Sequence, residues 1–348
     1  MNKNPSKIFI LCLLLFLVTA TMPALGSDWT QFQKDVYNTG VTADRAPITD
    51  PTNSSLSWNY TLGGNIDSAP LVAGDIVYAV AGDKHMYAFN KATGKLVWDN
   101  SISGGTNFVI GSGAVGNGII FVPTSDGQIF AFDAKTGSLN WNKAVGDGKQ
   151  LDTPILYSEG KIYFGEAMGG HKYYCYDESG NEVWSRASTT QVSTEGSYYW
   201  AGAALIGNNL VYGDDDGHLV SVNKDTGADI DEVDVSSEFG VTSGKIRSSV
   251  LYVEDLKRIY FTSSGGYCFA LGFDAAKGTF DNSDKHSIKV AYSTSTPAFY
   301  KGRIYMGTGA AMGGAGKGLY CLDADLDGVI WDYPAGVVQS SPAISTYY

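Results

Sequence analysis

Few residues in this chain can carry chemistry. Only 4 Cys and 4 His occur among 348 residues. Cys12 lies inside an apolar N-terminal run, and Cys175, Cys268 and Cys321 form neither an adjacent pair nor a Cys-x-x-Cys spacing. That excludes a disulfide framework and a Cys/His zinc site. Basic charge is also short, with 24 Lys and Arg against 36 Asp and Glu and a net charge of −12. Such a surface repels a phosphate backbone, so nucleic acid is not an expected partner. No Ser/His/Asp grouping and no pair of acids at a defined spacing stands out, and helical periodicity is scarce.

Long apolar runs are confined to the start. Lys3 and Lys7 precede the apolar stretch Ile8 to Ala20, and Ala24-Leu25-Gly26 supplies small residues ahead of Ser27. This order predicts a secretory signal peptide over residues 1–26, and the apolar stretch is too short for a comfortable membrane span. An uncleaved anchor is the competing reading, while Cys12 lies too deep in the apolar core for a lipoprotein cysteine. Export to the periplasm, cell surface or medium is therefore expected, with a mature net charge of −14 that favours solubility. Residues 27–57, rich in Thr, Asn, Asp and Pro, read as an extended strap. Asn53 and Asn59 head sequons that matter only where exported proteins are glycosylated.

What the chain has in quantity is Gly, 43 residues, and Tyr, 22 residues. Gly supplies the positive φ of tight hairpin turns, and Tyr suits a pleated, half-buried surface. They are arranged in a repeat. Tyr87 to Trp98 reads Y-A-F-N-K-A-T-G-K-L-V-W: an alternating run, an Asx, a Thr-Gly turn, and a second run ending in Trp. Copies run from Phe130 to Trp141, Tyr174 to Trp184 and Leu319 to Trp331, with weaker ones from Val220 to Ile230 and Leu271 to Phe280. The preceding strands are marked at Pro70, Ala114, Pro154, Ala203, Ser249, Pro297 and Pro342, at intervals of 40 to 49 residues. Four short strands, a to d, in each such interval predict an all-β fold, a β-propeller of four-stranded antiparallel blades over residues 58–348. Six units are complete. Of a seventh, only an outer strand at Ser57 to Leu62, with Trp58, and an inner strand at Val337 to Thr346 are expected. The N-terminal strand should close the ring by joining this last, incomplete blade, as though the sequence stopped inside a blade.

The pattern Ala131-Phe132-Asp133-Ala134-Lys135-Thr136-Gly137 with Trp141, repeated from Ala88 to Trp98, resembles the repeats of the quinoprotein-like, PQQ-type β-propellers. The resemblance covers about residues 58–348 and implies that the Trp of strand d docks between adjacent blades, on the turn Gly. Trp58, Trp98, Trp141, Trp184 and Trp331 are thus expected as interface wedges. The family includes quinone-dependent dehydrogenases, outer-membrane assembly scaffolds and many surface proteins, so the fold does not settle the function. Its cofactor-using members carry a vicinal disulfide and a Ca²⁺ held by acidic and amide side chains. This chain has no adjacent cysteines, so neither PQQ nor Ca²⁺ is expected.

Asp323, Asp325 and Asp327 match the start of a calcium loop, yet position twelve is Pro334 where a bidentate Glu is needed, so a turn is expected. His85 and His218 fall in one repeat slot of two distant units and are expected on exposed turns. Gly307 to Gly318 follows a strand but opens no helix, so it reads as a loop. The copies disagree in the linkers after each Trp, where Phe108, Glu195, Tyr198, Tyr199, Trp200 and Phe239 lie, and in the acidic turn Asp214-Asp215-Asp216. Aromatics with polar rims suit recognition of a protein or a surface glycan. The expected function is a non-catalytic binding or scaffold module, with a PQQ-dependent oxidoreductase or a carbohydrate-binding propeller as alternatives.

Overall fold

The structure, a computed structural model, describes residues 27–45, 58–102, 111–146, 150–188, 198–310 and 314–347. The signal segment, Phe108, Glu195 and Asn53 lie outside these residues.

Six four-stranded antiparallel sheets follow one another along the chain. Blade 1 comprises Leu71–Ala73, Ile76–Ala81, His85–Asn90 and Leu96–Ser101. Blade 2 comprises Ala114–Gly116, Ile119–Pro123, Gln128–Asp133 and Leu139–Ala144. Blade 3 is built from Leu156–Ser158, Lys161–Gly165, Lys172–Asp177 and Glu182–Ala187. Blade 4 uses Ala204–Ile206, Asn209–Gly213, His218–Asn223 and Asp229–Asp234. Blade 5 has Leu251–Val253, Arg258–Thr262, Tyr267–Asp274 and Thr279–Lys289, and blade 6 has Ala298–Tyr300, Arg303–Ala310, Gly314–Asp323 and Val329–Tyr333. The seventh position holds a two-stranded sheet in which Val41–Thr42 pairs in parallel with Ile344–Ser345.

The core is divided accordingly. Five hydrophobic clusters each join two successive blades, from blades 1 and 2 round to blades 5 and 6. Both faces of each inner sheet are covered, which is why strands b and c read as nearly continuous apolar runs rather than clean alternations.

At the outer rim the repeat becomes a contact. Trp58, Trp98, Trp141 and Trp184 lie on the turn glycines of the following blades, Gly94, Gly137, Gly180 and Gly227. A Cβ there would come within 2.6 to 2.9 Å of the ring. These glycines also hold φ between 68° and 76°, so both sterics and backbone demand Gly. Each indole Nε1 donates to the carbonyl after the turn's Asx: Lys91 at 2.8 Å, Ala134 at 3.1 Å, Glu178 at 2.7 Å and Lys224 at 2.9 Å. Opposite the wedge across the c–d pair stands a small residue, Ala88, Ala131, Cys175 or Cys321. The three cysteines are free and buried, as fillers of small core slots.

Blades 4 and 5 have no Trp, yet the same carbonyl keeps a donor. Asn209 Nδ2 reaches Ala275 O at 2.7 Å, and Tyr260 OH reaches Ala324 O at 2.8 Å. A buried carbonyl without a partner is costly, so the bond survives the change of side chain.

Several expectations are corrected. Residues 58–62 form no strand, although Trp58 docks as a wedge. The N-terminal strand that meets the C-terminal segment is Val41–Thr42, which belongs to the strap. The strap does more than lead into the first strand. Trp29 pairs with Val72, Thr30 O accepts from Val115 N, and Gln31 Oε1 accepts from Tyr157 N. Val36 O then accepts from Leu205 N and Tyr37 O from Tyr252 N. The strap thus joins the inner strands of blades 1 to 5 before pairing at position seven. Asp28 Oδ1, bonded to Gly74 N, places it toward the side of the a–b and c–d turns. The glycine-rich segment from Gly307 is not a loop: Arg303–Ala310 and Gly314–Asp323 extend as a long hairpin. Finally, the linker between blades 4 and 5 forms a short helix, Val235–Phe239, capped by Asp234 and by Gly240 with φ 64°.

Candidate binding face

Antiparallel order puts the b–c turns and d–a linkers on the side opposite the strap. On this side the copies diverge. Four residues ahead of the inner strands of blades 3, 4 and 5 stand Asp152, Trp200 and Arg247, one slot filled by an acid, an indole and a guanidinium.

Arg247 organises the cluster. Its Nε and Nη2 donate to the two oxygens of Asp215 at 2.8 and 2.6 Å, a bidentate pair in which the Asp215 side chain is 0% exposed. Lys245 Nζ lies 3.3 Å from the same carboxylate. The Arg247 guanidinium carbon sits 4.5 Å from the Tyr199 ring centre and 5.7 Å from that of Trp200, in cation–π geometry. Burial works against its charge, but the Asp215 hydrogen bonds and field outweigh that and raise its pKa.

Two buried polar atoms in the slot have no hydrogen-bond partner among the described residues, Asp152 Oδ1 and Trp200 Nε1. Burial raises the Asp152 pKa to about 7, against the opposing pull of the hydrogen bond from Gln150 Nε2 at 2.5 Å and of the Arg247 charge. Trp200 has φ +58°, a left-handed conformation that is strained for a bulky side chain. Strain and unsatisfied groups together at one place make this part of the linker side a candidate for binding.

The sequence candidates separate here. Tyr199 and Trp200 are half-buried at the cluster, and Asp215 is its anchor. Asp214 instead builds its own turn, accepting from Asp216 N at 3.0 Å and His218 N at 2.9 Å. Its contact with His218 raises the imidazole pKa. Tyr198, expected with Trp200 on the binding face, is 0% exposed: its ring packs edge-on to Tyr173 and Tyr212 in the core between blades 3 and 4. Phe239 likewise packs edge-on to Phe269. Arg247, Lys245 and Asp152 were missed because their neighbours in sequence are ordinary linker residues. Counting back a fixed number of residues from each strand would have aligned them.

Asp323 lies on the turn side. Its oxygens accept from Asp327 N at 3.1 Å and Gly328 N at 2.6 Å, and Asp325 is bonded to Arg258 Nη1 at 2.6 Å. These carboxylates are engaged in the turn and in the contact between blades 5 and 6. Cys175, Cys268 and Cys321 belong to separate blades, and no group of three or more His, Cys, Asp or Glu among the described residues is placed to hold a metal. No helix of the described residues is long and apolar enough to cross a membrane.

The sequence matches the PQQ_2 family, described as outer membrane protein assembly factor BamB, over residues 33–115 and 103–333. The chain belongs to this family. A search of curated proteins found none that matches. Among solved structures, it is similar to BamB from Moraxella catarrhalis, with TM-score 0.58 and 16% identity over 78% of this chain and 74% of that one. It is similar also to a europium-containing methanol dehydrogenase, with TM-score 0.68 and 16% identity over 92% and 80% of the two chains. A third likeness is to a quinohemoprotein alcohol dehydrogenase from Pseudomonas putida HK5, with TM-score 0.63 and 14% identity over 91% and 68%. At such identities these likenesses speak for the fold alone.

Proposed function

We propose that this protein is an exported, non-catalytic propeller that binds a protein partner through the linker face around Arg247. The observation that carries the reading is the Tyr199–Trp200–Arg247 cluster: aromatics and arginine, held in place by a buried carboxylate, are the side chains that dominate binding energy at interfaces. The family's description as an outer membrane protein assembly factor agrees with a scaffold role. The rigid ring offers a fixed platform, and the differing linkers offer specificity.

The test is cross-linking in envelope fractions with the wild-type chain, Trp200→Ala and Arg247→Ala, alongside a glycan array. A protein partner whose yield falls by about tenfold or more in both variants is expected, as for loss of an anchor residue. Retention of a glycan that both variants lose would replace the reading with carbohydrate recognition. Dye reduction with alcohols or sugars on adding PQQ and Ca²⁺, with a rise in melting temperature, would replace it with the oxidoreductase.

A further inference from the structure

The strap treats the inner strands alike, with one exception. In blades 1 to 5 the middle residue of the inner strand gives its N–H to the strap, as Leu205 does to Val36 O at 2.8 Å and Tyr252 to Tyr37 O at 3.0 Å. At position seven Ile344 gives its own to Gly40 O at 2.8 Å. The corresponding residue of blade 6 is Phe299, which stands opposite Ile304 in the register that sets Leu205 opposite Leu210. Alternation along an antiparallel pair therefore turns its N–H away from strand b in the same way. Yet among the described residues no strap carbonyl or side chain accepts from it. The strap is held clear of this place. Asn38, at φ 57°, bonds back through Nδ2 to Ala203 O at 2.9 Å and Val250 O at 2.8 Å, while the Asp35 carboxylate takes Tyr37 N and Thr39 N, each at 3.1 Å. The chain thus passes from blade 5 to position seven on a pinned loop and leaves blade 6 uncovered.

What remains there is a groove of about 240 Å³, lined by Tyr37 and Thr39 of the strap, Leu251 to Asp255 of blade 5, and Phe299. Its walls are largely apolar: Leu251 and Val253 are buried, and Tyr37 meets Tyr252 edge-on at 5.3 Å. The only charges among the lining residues are the exposed Glu254 and Asp255. Glu254 acts on the aromatic pair, since after burial its charge is the next cause that raises the pKa of both Tyr37 and Tyr252. We propose that this groove binds an extended segment of a partner polypeptide, whose main-chain carbonyl takes the Phe299 N–H and whose Lys or Arg side chain meets Glu254 and Asp255. A peptide is favoured because the strap fills the equivalent places with main-chain carbonyls everywhere except at Tyr157, where Gln31 serves. Main-chain bonding supplies affinity in such recognition, and pockets for alternate side chains supply selectivity. Along an extended peptide one set of side chains would face Leu251 and Phe299 and the other the two acids, so alternating apolar and basic residues fit. The groove lies on the side opposite the Arg247 face, and its test is independent of that reading.

The probe is the peptide Leu-Lys-Leu-Lys-Leu, labelled with fluorescein at its N-terminus and amidated at its C-terminus, read by anisotropy against the full chain. Saturable binding is expected, weakening as salt is added. Affinity should fall about threefold or more when Glu254→Gln and Asp255→Asn are combined. The peptide Leu-Glu-Leu-Glu-Leu should not bind. Amide hydrogen exchange on isotope-labelled protein locates the contact: in the free chain the Phe299 N–H should exchange faster than that of Tyr252, and at saturation it should slow by about tenfold or more. An unchanged melting temperature in the double variant distinguishes a lost contact from a lost fold. A Phe299 amide as protected as that of Tyr252 in the free chain, binding that leaves its exchange unaltered, equal binding of the glutamate peptide, or no saturable binding would each overturn the proposal.

Discussion

Trp184 and Trp331 fill the same slot of the same repeat, opposite a cysteine, beside a tyrosine, and yet one is 7% exposed and the other 38%. What separates them is the neighbour. Trp184 meets Gly227 and the Lys224 carbonyl of blade 4, whereas Trp331 meets no turn glycine of a following blade among the described residues. A sheet in this fold is therefore complete in hydrogen bonds but incomplete in burial until the next blade arrives. That is the physics of a repeat protein, in which stability sits at the interfaces between units as much as within them.

The comparison breaks most sharply at Trp184. Trp184→Ala removes a buried indole, leaves the Lys224 carbonyl without its donor, and opens a cavity between blades 3 and 4. A loss of about 3–5 kcal/mol is expected, as for large aromatics cut to Ala in a core. Chemical denaturation measures it, and a loss under about 1 kcal/mol would mean that the blade interface relaxes around the void. Gly227→Val should be comparably harmful, since its Cβ would meet the ring at 2.7 Å at a φ of 69°.

The linker side offers the next contrast, because there burial is not matched by bonding. Asp152 has its folded pKa raised to about 7, above an ordinary value of 3.8. Below about pH 4 the carboxyl is protonated in both states and carries no penalty; between about 4 and 7 the folded state holds the proton more tightly, so stability falls as pH rises. Above about 7 the penalty is constant, on the order of 4 kcal/mol at most. Asp152→Asn should flatten this slope and stabilise the chain at neutral pH, measured as melting temperature against pH in both proteins. An unchanged slope would show that Asp152 is ionised at little cost, with the Arg247 charge compensating.

The sequence made the turn side legible and the linker side much less so. Asx-x-x-Thr-Gly and the distant Trp are read easily because three constraints, the positive φ, the ring contact and the carbonyl, act on the same few residues in every unit. Blade count and strand order followed from that. The role of the strap did not, because many of its bonds to the inner strands use main-chain atoms of Thr30, Val36 and Tyr37, and the side chains that join them, Gln31 and Asn38, are of types ordinary in any loop. Tyr198 and Trp200 are not told apart by sequence for a related reason. Both are linker aromatics, and only the local backbone, with Trp200 at φ +58°, decides which one turns inward. Asn209 in place of a tryptophan donor is legible only once the Ala275 carbonyl is known to need one.

The smallest expected effect is the most discriminating. Trp331→Ala cuts the same side chain as Trp184→Ala from the same slot, so any difference between the two measures the neighbouring blade alone. The indole is already more than a third exposed and its main ring contact is Tyr305. Its removal should cost under about 1 kcal/mol in the free chain, within the range of surface substitutions. A cost near that of Trp184→Ala in the free chain would mean instead that Trp331 stabilises blade 6 through Tyr305 and strand c without a neighbour. The wedge would then belong to its own sheet, and the interface account of the repeat would have to be given up.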